Sequence, residues 1–125
     1  MKKDKILEKD TKRILKVTKS LWINNNNKTF FLTGCTGFFG IWILNVFDKA
    51  IKKYKLNLKV YVLTRNKQIK KNYIYNLYDN KKIKFITGDV RNFNFPKVIK
   101  KLDFCVHGAT TRAEETFKKQ SYDLK

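Results

Sequence analysis

Acidic residues are scarce in this chain. Ten Asp and Glu stand against 29 Lys and Arg in 125 residues, for a formal net charge of +19. Cysteine (two), histidine (one) and proline (one) are scarcer still. Each shortage excludes something. Cys35 and Cys105 are too few for the disulfide framework of a small secreted domain, and both read as small apolar fillers. With a single histidine, His107, no His/Cys cluster has ligand spacing and no metal site is expected. No apolar run approaches the roughly 20 residues of a membrane span. The charged opening, Met1-Lys2-Lys3-Asp4, does not lead into the apolar core of a secretory leader. A cytoplasmic location without a membrane partner is the default reading. What is present, 42% hydrophobic and 14% aromatic residues, suits a globular chain of about one domain.

The charge invites a nucleic-acid reading, but its distribution argues against one. Lys is spread along the whole chain among Asn, Ile, Phe and Tyr, as in a bias of composition. The four arginines, Arg13, Arg65, Arg91 and Arg112, are far apart in sequence. Readers of phosphate and base edges cluster charge and favour Arg. Non-specific binding through charge alone stays as a minor alternative.

The most informative stretch is Thr33-Gly34-Cys35-Thr36-Gly37-Phe38-Phe39-Gly40. An apolar run, Thr29 to Leu32, precedes it, and a long helix-like apolar segment follows. Strand, glycine turn and helix is the layout that binds a dinucleotide pyrophosphate. The N–H groups that open a helix have no intrahelical partner, and the dipole there favours negative charge. Phosphate reaches them only where no Cβ intervenes, and Gly34, Gly37 and Gly40 remove it at three places. The spacing is Gly-x-x-Gly-x-x-Gly. A nucleoside-triphosphate loop would need Gly-Lys-Ser/Thr, and Ile41 and Trp42 stand there instead. A glycine-rich turn that binds nothing is the alternative.

The rest of the chain alternates strand and helix patterns. Residues 4–22 read as an amphipathic helix, with Ile6, Leu7, Ile14, Leu15, Val17, Leu21 and Trp22 near one side. With the Asn-rich connector it forms a unit of residues 1–27. Strands are expected at 28–33, 58–64, 82–87 and 102–107. The first long helix is expected at 38–55, a weaker helix or loop at 67–79, a short helix from Pro96 to Lys101, and another helix from Arg112. This pattern predicts an α/β fold, a parallel sheet of order 3-2-1-4 flanked by helices. Ligands then bind beyond the C-terminal ends of strands one and four, where the order reverses. The glycine turn, Arg65, Asp89 and the turn from His107 to Arg112 converge on that place.

Thr-Gly-Cys-Thr-Gly-Phe-Phe-Gly at 33–40, Val-Leu-Thr-Arg-Asn at 62–66, Gly-Asp-Val at 88–90 and His-Gly-Ala-Thr at 107–110 resemble the extended short-chain dehydrogenases. More narrowly, they resemble the NAD-dependent epimerase/dehydratase group, which acts on nucleotide sugars. The resemblance covers residues 28–112. It implies a Rossmann-type domain over 28–125 that is incomplete at its C-terminus, as in a truncated or split member. It implies pyrophosphate contacts from Gly34, Thr36, Gly37, Phe38, Phe39 and Gly40. It places Thr64, Arg65 and Asn66 at the adenosine ribose and Asp89 and Val90 at the adenine. Ala109, Thr110 and Arg112 fall near the nicotinamide ribose, with Arg112 equally readable as a solvated helix residue and Asp89 as a turn or helix cap.

The end of strand two bears on the choice of cofactor. NAD-users place Asp or Glu there, whereas Arg accommodates a 2′-phosphate. Thr64 occupies the acidic position and Arg65 follows it, so NADP is preferred over NAD. The acid/base Tyr-x-x-x-Lys of such enzymes is absent from any later helix. Tyr122 and Lys125 are a residue too close. No catalytic residue is therefore assigned. The expectation is a cofactor-binding portion of a nucleotide-sugar epimerase/dehydratase, inactive alone. The alternative is a non-catalytic nucleotide-binding or regulatory subunit completed by a second chain or a homo-oligomer.

Overall fold

The computed structural model describes residues 2–35, 38–65 and 79–108, with backbone alone at 2–4, 7, 38, 39 and 41. Along them run α1 (Lys2–Asn24), β1 (Thr29–Thr33), α2 (Phe38–Tyr54), β2 (Lys59–Thr64), β3 (Ile83–Thr87) and β4 (Phe104–His107). The strands form one sheet in the order β3-β2-β1-β4, and each neighbouring pair is parallel. This is the α/β arrangement and the strand order that the sequence patterns predict. No helix among the described residues is long and apolar enough to cross a membrane.

Side chains of β1 and β2 are covered on both faces of the sheet, which is why these strands read as apolar with little alternation. On one face Leu32, Val60, Val62 and Ile83 meet Leu44, Phe47, Ala50 and Ile51 of α2. On the other, Phe31, Tyr61 and Leu63 pack with Ile86 beneath Phe93, Ile99 and Leu102. The segment between β3 and β4 supplies this second cover without forming a helix. Phe31 stacks on Phe93 at 5.7 Å between ring centres.

α2 ends with Lys55 in the left-handed region (φ 50°). The Leu56 N–H donates to Ile51 O at 3.1 Å, and Leu56 is buried. This 6→1 bond and apolar cap close the helix as a Schellman motif with Lys at the position where Gly is usual. Asp48 is buried in α2. Its Oδ1 accepts from Asn80 Nδ2 at 2.8 Å, and Lys52 Nζ lies 3.1 Å away. That satisfies a carboxylate which would otherwise be costly to bury.

α1 seats on α2 rather than on the sheet. Thr11, Leu15 and Trp22 lie four and seven residues apart, on one line of the helix. Thr11 accepts from Asn45 Nδ2 at 2.8 Å, Leu15 O accepts from the Tyr54 hydroxyl at 2.9 Å, and Trp22 meets Phe47 edge-on at 5.1 Å. A single helix is a narrow seat. Ile6, Val17 and Leu21, expected on the covered side, are therefore 57%, 75% and 62% exposed.

Three further expectations are corrected. Residues 96–101 form no helix; one turn closes with Ile99 N–H on Pro96 O at 3.0 Å. Six residues cannot repay the cost of helix nucleation, and Ile99 is held by the apolar cluster under the sheet. β4 begins at Phe104 instead of Leu102, because Asp103 turns its carboxylate onto the start of β1. Cys105 is exposed and Cys35 is buried, since β4 is an edge strand with all four residues exposed. The expected helix at 67–79 falls almost wholly outside the described residues, as does the one from Arg112.

Two outcomes follow. Phe47 joins Trp22 and Phe30 through edge-on ring contacts near 5 Å, so Phe47→Ala is expected to cost about 3–5 kcal/mol, read as a lower urea midpoint. Asp103 Oδ2 accepts the Thr29 N–H at 2.8 Å. That bond, helped by Lys101, holds its carboxyl below the usual range. A lowered folded value means stability that is present at neutral pH and lost as pH falls below about 4. Asp103→Asn is expected to shrink the drop in urea midpoint between pH 7 and pH 3 relative to the wild type.

Candidate functional site at the C-terminal ends of the strands

The site is built where β1 ends. Gly34 follows the strand with φ 70°, a conformation that only glycine adopts without strain. α2 begins at Phe38, and its first turn carries no acidic residue. Its leading N–H groups thus keep their positive character. Gly40 sits in that first turn, and a Cβ there would lie inside the backbone of Cys35. Its absence is what lets the helix approach the turn so closely. Cys35 is buried, and burial pushes its thiol up to about 11, so it is inert filler beneath the turn. Of the glycine-turn residues expected to touch phosphate, Gly34 and Gly40 are placed fully and Phe38 and Phe39 by backbone. Thr36 and Gly37 lie outside the described residues.

β4 runs beside β1 and ends level with it. The Gly108 N–H donates to Thr33 O at 2.9 Å, and a Cβ on Gly108 would stand 3.0 Å from that oxygen. Thr33 Oγ1 and His107 Nδ1 lie 2.7 Å apart in a hydrogen bond. The pair fastens the two strand ends at the place where the order reverses. The pairing was not legible beforehand, because it depends on the β1–β4 register. Ala109, Thr110 and Arg112 lie outside the described residues.

At the ends of β2 and β3 a second group assembles. Thr64 is buried as the last residue of β2, and its carbonyl accepts the Gly88 N–H at 3.0 Å. Arg65 follows, exposed; Asn66 is outside the described residues. Gly88 leaves room for Phe93, whose ring would sit 2.8 Å from a Cβ there. Asp89 is engaged by a residue that sequence reasoning missed. Arg91 donates to it from its backbone N–H at 3.0 Å, from Nε at 3.0 and 3.2 Å, and from Nη2 at 2.6 Å. These bonds, and more distantly the charge of Arg65, hold the Asp89 carboxyl well below the usual range. The backbone bond two residues on is an Asx turn. The Asp-x-Arg spacing was its only signal. Val90 is 43% exposed beside it.

One Tyr-x-x-x-Lys spacing does occur, from Tyr78 to Lys82. Tyr78 lies outside the described residues. Lys82 precedes β3 at the opposite end of the sheet, its Nζ 2.6 Å from Asn57 Oδ1. It is remote from the glycine turn. Among the described residues no group of three or more His, Cys, Asp or Glu could hold a metal ion.

The arrangement offers backbone donors at a helix start, close backbone approach, and two arginines flanking one carboxylate along the same edge. Backbone donors at a helix start and arginine are groups that bind phosphate esters. No protein-family model matches this chain, and no curated protein matches it either.

Proposed function

We propose that this chain binds a nicotinamide dinucleotide as the Rossmann-type, N-terminal cofactor-binding portion of a nucleotide-sugar epimerase/dehydratase. The observation that carries the reading is the β1–turn–α2 unit. Gly34 at φ 70° and Gly40 against Cys35 stand at the edge where β1 and β4 diverge. The pyrophosphate would lie on the N–H groups opening α2. In a complete enzyme of this kind the nicotinamide takes a hydride from a sugar hydroxyl and later returns it. This chain contributes binding and orientation, and among the described residues there is no acid/base pair at that edge.

NADP is preferred over NAD. Thr64 cannot repel a 2′-phosphate as a carboxylate would, and Arg65 makes no ion pair among the described residues. Asp89, the acid at this edge among the described residues, takes its hydrogen bonds from Arg91 and feels Arg65 only at a distance. Arg65 therefore keeps its donors for a phosphate.

A second reading has an observation of its own. β4 is exposed along its length, with Phe104 at 43% and Val106 at 37%. An open parallel edge with apolar side chains invites another chain. On that reading the chain is a non-catalytic nucleotide-binding or regulatory subunit completed by a partner.

Calorimetric titration separates these points. Wild type is expected to bind NADP more tightly than NAD. Arg65→Ala is expected to weaken NADP roughly tenfold or more, as loss of a charge-assisted contact does, and to leave NAD unchanged. Tighter binding of NAD by wild type would reverse the preference. Gly34→Val, checked for folding by circular dichroism, is expected to abolish binding of both. Retained binding in a folded Gly34→Val variant would remove the basis of the proposal. The purified chain is expected to show no turnover of any nucleotide sugar.

A further inference from the structure

A small cleft opens at the other end of the sheet, where β1 and β2 begin. Its volume is about 140 Å³, and it is lined by Thr29, Lys59, Tyr61, Ile99, Lys100 and Lys101, among others. Thr29 and Lys59 are register partners on one face of the sheet, and Tyr61 follows on that face two residues along β2. The turn after Pro96 brings Ile99 to Lys101 across them. Thr29 and Gly34 are five positions apart along β1, which at the rise of a strand separates the cleft from the glycine turn by about 16 Å.

The lining is unbalanced in two ways. It presents donors almost without acceptors. Lysine ammonium groups only donate, and Lys59 and Lys100 have no ion pair among the described residues. The one nearby carboxylate, Asp103, is already committed, with Oδ2 on the Thr29 N–H and Oδ1 3.4 Å from Lys101 Nζ. The second imbalance is Tyr61. It is 6% exposed, and its hydroxyl has no hydrogen-bond partner among the described residues. No buried side-chain oxygen is left both unbonded and sealed from solvent among the described residues, so this hydroxyl opens to water, and the cleft it lines is its outlet. A nearly buried tyrosine and two lysines without an ion pair among the described residues, all lining one cleft, make a donor set short of an acceptor.

We propose that this cleft is a binding site for a phosphate group, as inorganic phosphate or as the phosphate of a small phosphorylated molecule. Lys59, Lys100 and the Tyr61 hydroxyl are its ligands, and it is separate from the dinucleotide site. The phosphate oxygens accept from all three. Its two negative charges offset the repulsion that the ammonium groups otherwise impose on one another. Ile99 and the Tyr61 ring wall one side and reduce competition from water.

Titration of the full chain with inorganic phosphate at constant ionic strength, followed by amide shifts in heteronuclear NMR, tests the proposal. Saturable shifts are expected at Thr29, Tyr61, Ile99 and Lys100. Lys59→Gln with Lys100→Gln is expected to weaken binding by about tenfold or more, and Tyr61→Phe severalfold. Tyr61→Phe keeps the ring and so keeps the fold under the same test. The charge-matched control, Lys12→Gln with Lys16→Gln on α1, is expected to change nothing. Shifts that follow lysines over the whole surface without saturating would overturn the site. So would cleft variants that bind as the control does. A glucose 6-phosphate titration with the same shifts and tighter binding would mark the ligand as a phosphorylated molecule, and equal affinity would mark it as the free anion.

Discussion

With no side chain at Gly40, the first turn of α2 lies directly against the backbone at Cys35. Any larger residue would hold the helix away from β1. The N–H groups that open α2 would then face solvent at a distance from the strand edge, and the turn between them would widen. Alanine at that position would gain helix propensity of roughly 1 kcal/mol. A Cβ placed inside backbone atoms costs more than that, because backbone cannot rotate aside as a side chain does. Close approach wins over propensity, and the C-terminal edge of the sheet inherits its shape from that outcome.

The two ends of the sheet are finished differently. At the N-terminal ends of the strands, backbone groups are closed off by side chains from the connectors. Asn26 Oδ1 accepts the N–H of Asn27 and of Asn57, Asn27 Oδ1 accepts from Asn57 Nδ2, and Asn57 Oδ1 accepts from Lys82 Nζ. The α1–β1 connector, the α2–β2 connector and the start of β3 are thereby stitched together. Asn27 takes φ 67° to do it, a conformation that Asn tolerates better than most residues. At the C-terminal ends the neighbouring strands hold each other through Thr33, His107, Thr64 and Gly88. One end is tied by side-chain amides, and the other by the strands' own backbone, hydroxyl and imidazole groups.

Much of this was legible in the sequence, and the reason differs by element. β1 and β2 read clearly because a strand buried on both faces must be apolar throughout, as Phe31, Leu32, Val60 and Val62 are. The turn after β1 read clearly because glycine at 34 and 40 has few uses other than positive φ and close contact. What did not read depends on partners distant in the chain. Nothing local says that Val17 and Leu21 stay exposed while Trp22 is covered. That follows from α1 resting on one helix instead of a sheet. Nothing local says that residues 96–101 stay irregular, since the cover they give to Phe31 and Tyr61 is a tertiary demand that overrides Pro96 as a helix start. Asp103 looked like part of a strand because its neighbours are apolar, whereas its carboxylate caps Thr29 across 74 positions of sequence.

Charge is the property that sequence overstates and structure sorts. A chain at +19 has cations everywhere, so the presence of Lys or Arg near a concavity carries little information by itself. What carries information is whether a carboxylate already answers the cation. The Arg91 guanidinium is answered by three hydrogen bonds to Asp89, and Lys52 is answered by buried Asp48. Arg65, Lys59 and Lys100 have no such ion pair among the described residues, and Lys59 and Lys100 line the same cleft as Tyr61. An exposed cation on a convex surface is satisfied by water and salt. The same cation beside a hollow whose other walls are donors or apolar rings loses part of that hydration and gains most from a ligand with several acceptor oxygens. By that criterion the excess of lysine is mostly solvated surface. The two binding sites proposed above, one at the glycine turn and one beneath Tyr61, are where positive charge would have directional chemistry.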